Sequence, residues 1–106
     1  MFKIAGTEIR MTEGDYGVDL PVAVKGTTVT ASDVLDLTIK DAVNGTTVLE
    51  LTVGSPTNGV FDLFFAQEDS ALLTPGEYVY SLDWIQPGTF VYCLVPVGPF
   101  IVEEKA

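Results

Sequence analysis

Apolar and polar residues alternate with a period of two along most of this chain. The pattern is clearest in four segments, which are Val18–Val24, Leu35–Lys40, Val48–Val53 and Glu77–Trp84. A period of two places successive side chains on opposite faces of an extended backbone, so each segment is predicted to be a half-buried β-strand. Pro21 cannot donate a ladder hydrogen bond, which predicts an open edge or a bulge in the first of these strands.

Turn-forming residues separate the alternating segments at regular spacing. Asn44-Gly45 can adopt the positive φ angles of a tight hairpin, Ser55–Gly59 predicts a longer turn, and Pro87-Gly88 divides the last two strands. Repeated strand and turn signals of this kind are typical of sandwiches and barrels. We therefore predict an all-β, immunoglobulin-like β-sandwich of about seven to eight antiparallel strands, in a single domain spanning residues 1–106.

One segment departs from the strand pattern. Gln67–Leu73 predicts a short helical turn at a crossover between the sheets, and the following Thr74-Pro75-Gly76 would end any helix. Asp69 is placed to accept an orphan backbone N–H at the start of that turn. The spacing around Tyr78, just after this corner, predicts a tyrosine corner in which its hydroxyl bonds to upstream backbone.

The C-terminal part of the chain is unusually apolar. No charged side chain occurs from Thr89 to Val102, and Phe90–Val95 is apolar at every position; Val60–Phe65 also loses strict alternation. Strands that are apolar on both sides are normally covered on both sides. Either the N-terminal segment of the same chain covers them or they form a subunit interface. The residues we predict for such an interface are Phe64, Phe90, Tyr92, Leu94 and Phe100.

Charge and targeting signals narrow the range of partners. Five basic and 15 acidic residues give a net charge of −10, which disfavours nucleic acid and anionic membranes as partners. The N-terminus lacks the apolar stretch of a signal peptide, and no apolar segment is long enough for a membrane helix. We expect a soluble protein.

Cys93 is the single cysteine, so no internal disulfide can form, and we expect it to pack as a small hydrophobe.

The chain has few of the residue types that catalytic sites use. The chain contains no histidine, which excludes histidine-dependent nucleophile systems and histidine-ligated zinc. The acidic pairs Glu68-Asp69 and Glu103-Glu104 are adjacent in sequence, and adjacent strand residues point to opposite faces. We expect no catalytic residues, no cofactor and no metal site, and hence a protein that is not an enzyme.

Ligand binding is the alternative to a structural role. Glu13, Asp15 and Asp19 could offer oxygen ligands to calcium, although the chain has no DxDxDG loop. Tyr78, Tyr80 and Trp84 could form a carbohydrate platform. With a period of two these aromatic residues share one strand face with Leu82, an arrangement more typical of a core.

Several segments together resemble a known group of proteins. They are Gly14-Asp15, the strand Val34–Lys40, the stretch Glu68–Tyr80 and the end Gly98–Val102. In their order and pattern they resemble phage and prophage tail-region proteins, including the N-terminal domain of phage baseplate upper proteins. The resemblance implies a sandwich used in virion assembly, with copies of itself or other phage tail proteins as partners. It also implies a location in the virion, or in the bacterial cytoplasm during assembly.

Overall fold

The alternating segments of the sequence are strands in the structure. The computed structural model describes residues 2–24 and 29–106. This part of the chain forms β1 (Lys3–Ala5), β2 (Glu8–Thr12), β3 (Val18–Ala23), β4 (Val34–Lys40), β5 (Thr47–Val53), β6 (Val60–Phe65), α1 (Gln67–Ser70), β7 (Gly76–Gln86) and β8 (Phe90–Glu103). In β4 every second side chain, Leu35, Leu37 and Ile39, is fully buried, as the period of two predicts.

These strands form two sheets. The larger sheet has the order β1-β2-β8-β7-β4-β5, and β3 pairs with β6 in a two-stranded sheet. The prediction of an all-β sandwich is confirmed. The predicted antiparallel pairing holds between the described strands except for one pair, because β2 runs parallel to the last four residues of β8, from Phe100 to Glu103. No turn joins these two strands, so nothing requires them to run in opposite directions.

The core lies between the two sheets. In β6, Phe61, Leu63 and Phe65 point inward, while Asp62 and Phe64 point outward. This strand therefore keeps strict alternation, and the sequence hides it because an aromatic residue, Phe64, occupies an outer position. The buried apolar residues are Ile9, Met11, Leu20, Leu35, Leu37, Ile39, Leu49, Phe61, Leu63, Phe65, Leu73, Tyr80, Leu82, Trp84, Phe100 and Val102.

The crossover between β6 and β7 contains the short helix α1. The backbone N–H of Ala66, just before the helix, donates to Oδ2 of Asp69 at 3.0 Å, so this carboxylate caps the helical turn. At the start of β7 the hydroxyl of Tyr78 donates to the carbonyl oxygen of Thr74 at 2.7 Å. A tyrosine hydroxyl bonded to backbone a few residues upstream is the contact that defines a tyrosine corner.

The turns use asparagine and glycine in two different ways. Asn58 and Gly59 both have positive φ, and Thr57 and Val60 on either side exchange two backbone hydrogen bonds of 3.0 Å, as in a two-residue hairpin. The predicted hairpin at Asn44-Gly45 is different, since only Asn44 has positive φ. Gly45 is required there for space, because a Cβ atom would collide with Asp41 and with the backbone of Ala42.

A buried carboxylate ties the loop before β4 to strand β7. Asp33 has no exposed surface, and it accepts hydrogen bonds from the N–H and hydroxyl of Thr30 (3.0 and 2.7 Å), from Trp84 Nε1 (3.0 Å) and from Gln86 Nε2 (3.2 Å). Burial by itself would raise the pKa of Asp33. The four donors favour the ionised form and outweigh burial, so the pKa falls from 3.8 to about 2.

Replacing Asp33 by Asn should destabilise the fold at neutral pH, because an amide nitrogen would face donors that the carboxylate now satisfies. Since the folded-state pKa is depressed, the stabilisation is present above the unfolded-state value of 3.8 and is lost as the pH falls through about 2. The difference in unfolding free energy between wild type and Asp33→Asn should therefore shrink on acidification. Urea denaturation followed by the fluorescence of Trp84, the single tryptophan, measures it.

The exposed residue Asp62 provides the control for this experiment, and Asp62→Asn should change the stability little at any pH. A difference between wild type and Asp33→Asn that stays constant from neutral to strongly acidic pH would contradict the assigned role of the ionised carboxylate.

A close contact between a glycine and a tyrosine ring fixes the packing of β8 on β7. Tyr80 lies opposite Gly98, and its hydroxyl donates to the carbonyl oxygen of Thr7 at 2.5 Å. A Cβ atom on Gly98 would lie 2.5 Å from a carbon of the Tyr80 ring. The ring also packs edge-on against Phe100 with centroids 6.3 Å apart, so it has little freedom to move away.

The substitution Gly98→Ala should therefore destabilise the domain by about 1–3 kcal/mol, the usual cost of overpacking a core. Thermal unfolding monitored by circular dichroism measures this change. Val97→Ala, at the exposed neighbouring position, is the matched control and should have a much smaller effect. Equal stability of Gly98→Ala and wild type would show that the Tyr80 ring can move aside.

Candidate interaction surface on strand β8

Strand β8 divides into a covered half and an exposed half. Its last residues lie between β7 and β2, and Phe100 and Val102 are buried there. The N-terminal segment of the chain thus covers this end of β8, which was one of the two explanations for its apolar sequence. Phe90–Val97, which we call the exposed half of β8, pairs with β7 but has no second neighbouring strand among the described residues.

Large apolar side chains of the exposed half reach solvent. Val91 is 68% exposed, Tyr92 61% and Val97 54%, and Phe90 is 36% exposed. No side chain in this segment is charged. An edge strand with unpaired backbone groups and apolar side chains is a template for pairing with another chain, and proteins commonly protect such an edge with charged residues.

The register with β7 assigns these side chains to the two faces of the sheet. Tyr92 lies opposite Trp84 and Val95 opposite Leu82, so both point to the core side of the sheet. Val91, opposite Ile85, points to the outer side. The register shifts twice along the hairpin, between the Asp83 and Leu82 pairs and between the Leu82 and Tyr80 pairs, and each shift leaves one extra residue in β8. Such bulges increase the local twist of a hairpin.

The five residues predicted for an interface do not form one surface. Phe90 and Tyr92 lie in the exposed half of β8, and Leu94 is half-buried there against the core. Phe64 is 55% exposed, but it lies on the outer side of β6 in the other sheet. Phe100 must be corrected from interface to core, because it is fully buried and packs against the rings of Phe65 and Tyr80.

Cys93 also departs from its predicted environment. It lies opposite Asp83 on the outer side of the hairpin, and the thiol is exposed instead of packing as a core residue. Partial desolvation raises the pKa of the Cys93 thiol, and a hydrogen bond with Asp83 and the charge of that carboxylate raise it further. The thiol is therefore held in its protonated, less nucleophilic form.

A cavity of about 240 Å³ lies beside β3, and one of its lining residues, Leu82 of β7, is the cross-strand neighbour of Val95 in the exposed half of β8. The cavity is bordered by β3, by the β1–β2 turn and by core-side residues of β2, β4 and β7. Its lining residues are Ile4, Gly6, Ile9, Leu20, Pro21, Val22, Ala23, Leu37, Tyr80 and Leu82. The sequence offered one signal for this feature, which is Pro21 as the marker of an edge strand.

The carbohydrate platform and the calcium site considered as alternatives can be compared with the described residues. Tyr80 and Trp84 are buried in the core, so they cannot stack on a sugar. Among the described residues, no group of three or more acidic or cysteine side chains is placed to hold a metal ion. No helix within residues 2–24 and 29–106 has the length and apolar character to cross a membrane.

One carboxylate pair is brought together that sequence adjacency did not reveal. Glu50 on β5 and Asp36 on β4 share the outer side of the large sheet at neighbouring register positions. A hydrogen bond with Asp36 and the repulsion between the two charges raise the pKa of Glu50. The alternating pattern of β4 and β5 places both carboxylates on the outer side of the sheet, and the register of the two strands then makes them neighbours. The pair lies on an open sheet face instead of in a cleft, so it lacks the water-excluding surroundings of a catalytic dyad.

Replacing Glu50 by Gln should stabilise the fold at neutral pH by about 0.2–1 kcal/mol, because Glu50 and Asp36 are diagonal neighbours on adjacent strands and their negative charges repel each other. Since the folded-state pKa of Glu50 is raised, its proton stabilises the fold below the unfolded-state value of 4.5, and that stabilisation is lost as the pH rises through the folded-state pKa. The gain should therefore be present at neutral pH and decrease in acid and in high salt. Urea titrations measure it, with Glu104→Gln in the C-terminal tail as control; a gain equal in both variants would contradict the pairing.

Comparisons with protein-family models, with curated proteins and with solved structures find no match to this chain.

Proposed function

We propose that this protein is a non-catalytic structural module of a phage or prophage tail or baseplate, and that it acts by associating with copies of itself or with a neighbouring tail protein. The observation that carries the proposal is the exposed half of β8, an uncharged, apolar edge segment in an otherwise acidic protein. The assignment to a phage tail or baseplate rests on the sequence resemblance alone.

Burial of the exposed half of β8 would stabilise a complex in two ways. Val91, Tyr92 and Val97 are each more than half exposed, and covering apolar surface contributes roughly 25 cal/mol per Å². The open edge can in addition accept a further strand through its backbone groups. Apolar surface of this kind in a folded domain usually marks a site of association.

The overall charge restricts where two copies can meet. With a net charge of −10, two copies repel each other across most of their surface. Repulsion is weakest where no charged side chains face each other, and the stretch from Thr89 to Val102 contains none. The acidic surface thus directs self-association toward the apolar edge.

Light scattering after size exclusion, over a concentration series, tests the proposal. We expect a stable oligomer for the wild type and a monomer for the double variant Val91→Lys/Tyr92→Lys, because two buried unpaired charges would oppose association. Val43→Lys, at a comparably exposed apolar position in the turn between β4 and β5, is the matched control and should leave the mass unchanged. A wild type that stays monomeric at the highest concentration would contradict self-association, and a folded double variant that still associates would exclude this surface.

A further inference from the structure

The cavity and the exposed half of β8 are adjacent on the core side of the large sheet, joined through strand β7. Leu82 belongs to the cavity lining and lies opposite Val95, and Trp84, two residues further along β7, lies opposite Tyr92. All four side chains are on the core side of the large sheet. From the cavity, this side of the sheet therefore continues along the hairpin to Val95, Tyr92 and Phe90. We call this surface, from the cavity to Phe90, the β3–β8 patch.

The patch exists because the small sheet ends at β3. The cavity lining shows that β3 lies over residues of β4 and β7, and β6 is its single described neighbour in the sheet. A third strand beside β3 would lie over β7 and β8, where it would fill the cavity and cover Tyr92. Among residues 2–24 and 29–106, this position is partly occupied by the turn at Gly6, and no described strand other than β6 pairs with β3.

The patch combines a recess with a projection. The recess is the cavity of about 240 Å³, and the projection is Tyr92, which is 61% exposed. Cavities of about 150 Å³ lined by apolar side chains accommodate a benzene ring, so this recess is large enough for a phenol ring. The hydroxyl of Tyr80, which lines the recess, already donates to Thr7, so an incoming ring would not leave that donor unpaired.

We propose that the β3–β8 patch binds the same patch of a second copy of this chain across a twofold axis, with Tyr92 of each copy inserted into the cavity of the other. The inference rests on the proposed function and specifies its contact. A twofold interface uses the same surface on both partners, so it must contain both a recess and the group that fills it. Aromatic anchors in apolar pockets are the contacts that dominate such interfaces.

Charge is the reason to choose a second copy as the occupant. Among the residues that the structure describes, the cavity lining and the core-side part of the exposed half of β8 include no charged side chain, so they offer a basic partner no acidic group to pair with. The same property allows two copies with a net charge of −10 to meet there without placing like charges in contact.

Sedimentation equilibrium of single variants tests the two halves of the contact. Tyr92→Lys removes the projection, and Ala23→Glu places a charge at an exposed position that lines the recess. Each should weaken the dimer by more than about tenfold, since burying an unpaired charge costs well over the 1.4 kcal/mol that corresponds to tenfold. Val43→Lys, at an exposed apolar position outside the β3–β8 patch, is the matched control, and it should change affinity by less than about threefold.

Mixing the two single variants gives a readout that a merely structural effect would not produce. In a mixed dimer, the lysine introduced at position 92 of one copy meets the glutamate introduced at position 23 of the other, and the second contact keeps the native Tyr92 and Ala23. The mixture should therefore form dimers under conditions in which each variant alone is monomeric. Circular dichroism establishes that each variant is folded, and Ile4→Glu, at another exposed position of the cavity lining, replaces Ala23→Glu if that variant unfolds.

The outcomes separate this inference from the function proposed above. A monomeric wild type would contradict self-association and therefore overturn this inference, whereas association with a neighbouring tail protein, the other part of the proposed function, would stand. A wild type that associates while Tyr92→Lys and Ala23→Glu associate equally well would overturn only the twofold contact through the cavity. The same holds if the mass grows without limit, because a closed twofold contact stops at the dimer.

Discussion

A two-stranded sheet can cover only part of a six-stranded one, and this mismatch determines the rest of the structure. β3 and β6 bury the core side of β4 and neighbouring strands, and Phe61, Leu63 and Phe65 fill the space between the sheets. The hairpin of β7 and β8 extends beyond this cover. Its far end therefore exposes Tyr92 on the side that is core elsewhere, and the boundary between covered and uncovered sheet is the cavity beside β3.

At the end of the β7–β8 hairpin that the small sheet does not cover, Trp84 is covered by the ring of Phe90 and donates a hydrogen bond to Asp33. Trp84 is 6% exposed, although its cross-strand neighbour Tyr92 is largely exposed. The indole is covered by the ring of Phe90, at a centroid distance of 4.9 Å, and its N–H is held by the carboxylate of Asp33. An ionised buried group is tolerated here because it accepts four hydrogen bonds, which compensate for the water it has lost.

Acidity and the apolar edge have opposite effects on association. Fifteen acidic residues against five basic ones keep most surfaces of two copies apart. Repulsion between acidic groups also acts within one molecule. On the outer side of the large sheet, Asp36 lies close enough to Glu50 to raise the pKa of Glu50. The exposed half of β8 has no charged side chain, and this is the reason we propose it as the surface on which two copies meet.

The sequence by itself determined strands β3 to β8, the short helix at the crossover and the capping by Asp69, because these depend on the alternation and chemistry of neighbouring residues; it did not predict the short strands β1 and β2. It also identified Phe90 and Tyr92 as residues of an unusually apolar strand. It could not separate them from Phe100 in the same run, because burial depends on which strand lies alongside. Only the tertiary structure placed β2 beside the end of β8, left the beginning of β8 open, and joined Leu20, Leu37 and Leu82 around one cavity. Contacts between residues so distant in the chain depend on which strands become neighbours in the sheet, and the local pattern of a strand does not specify its neighbours.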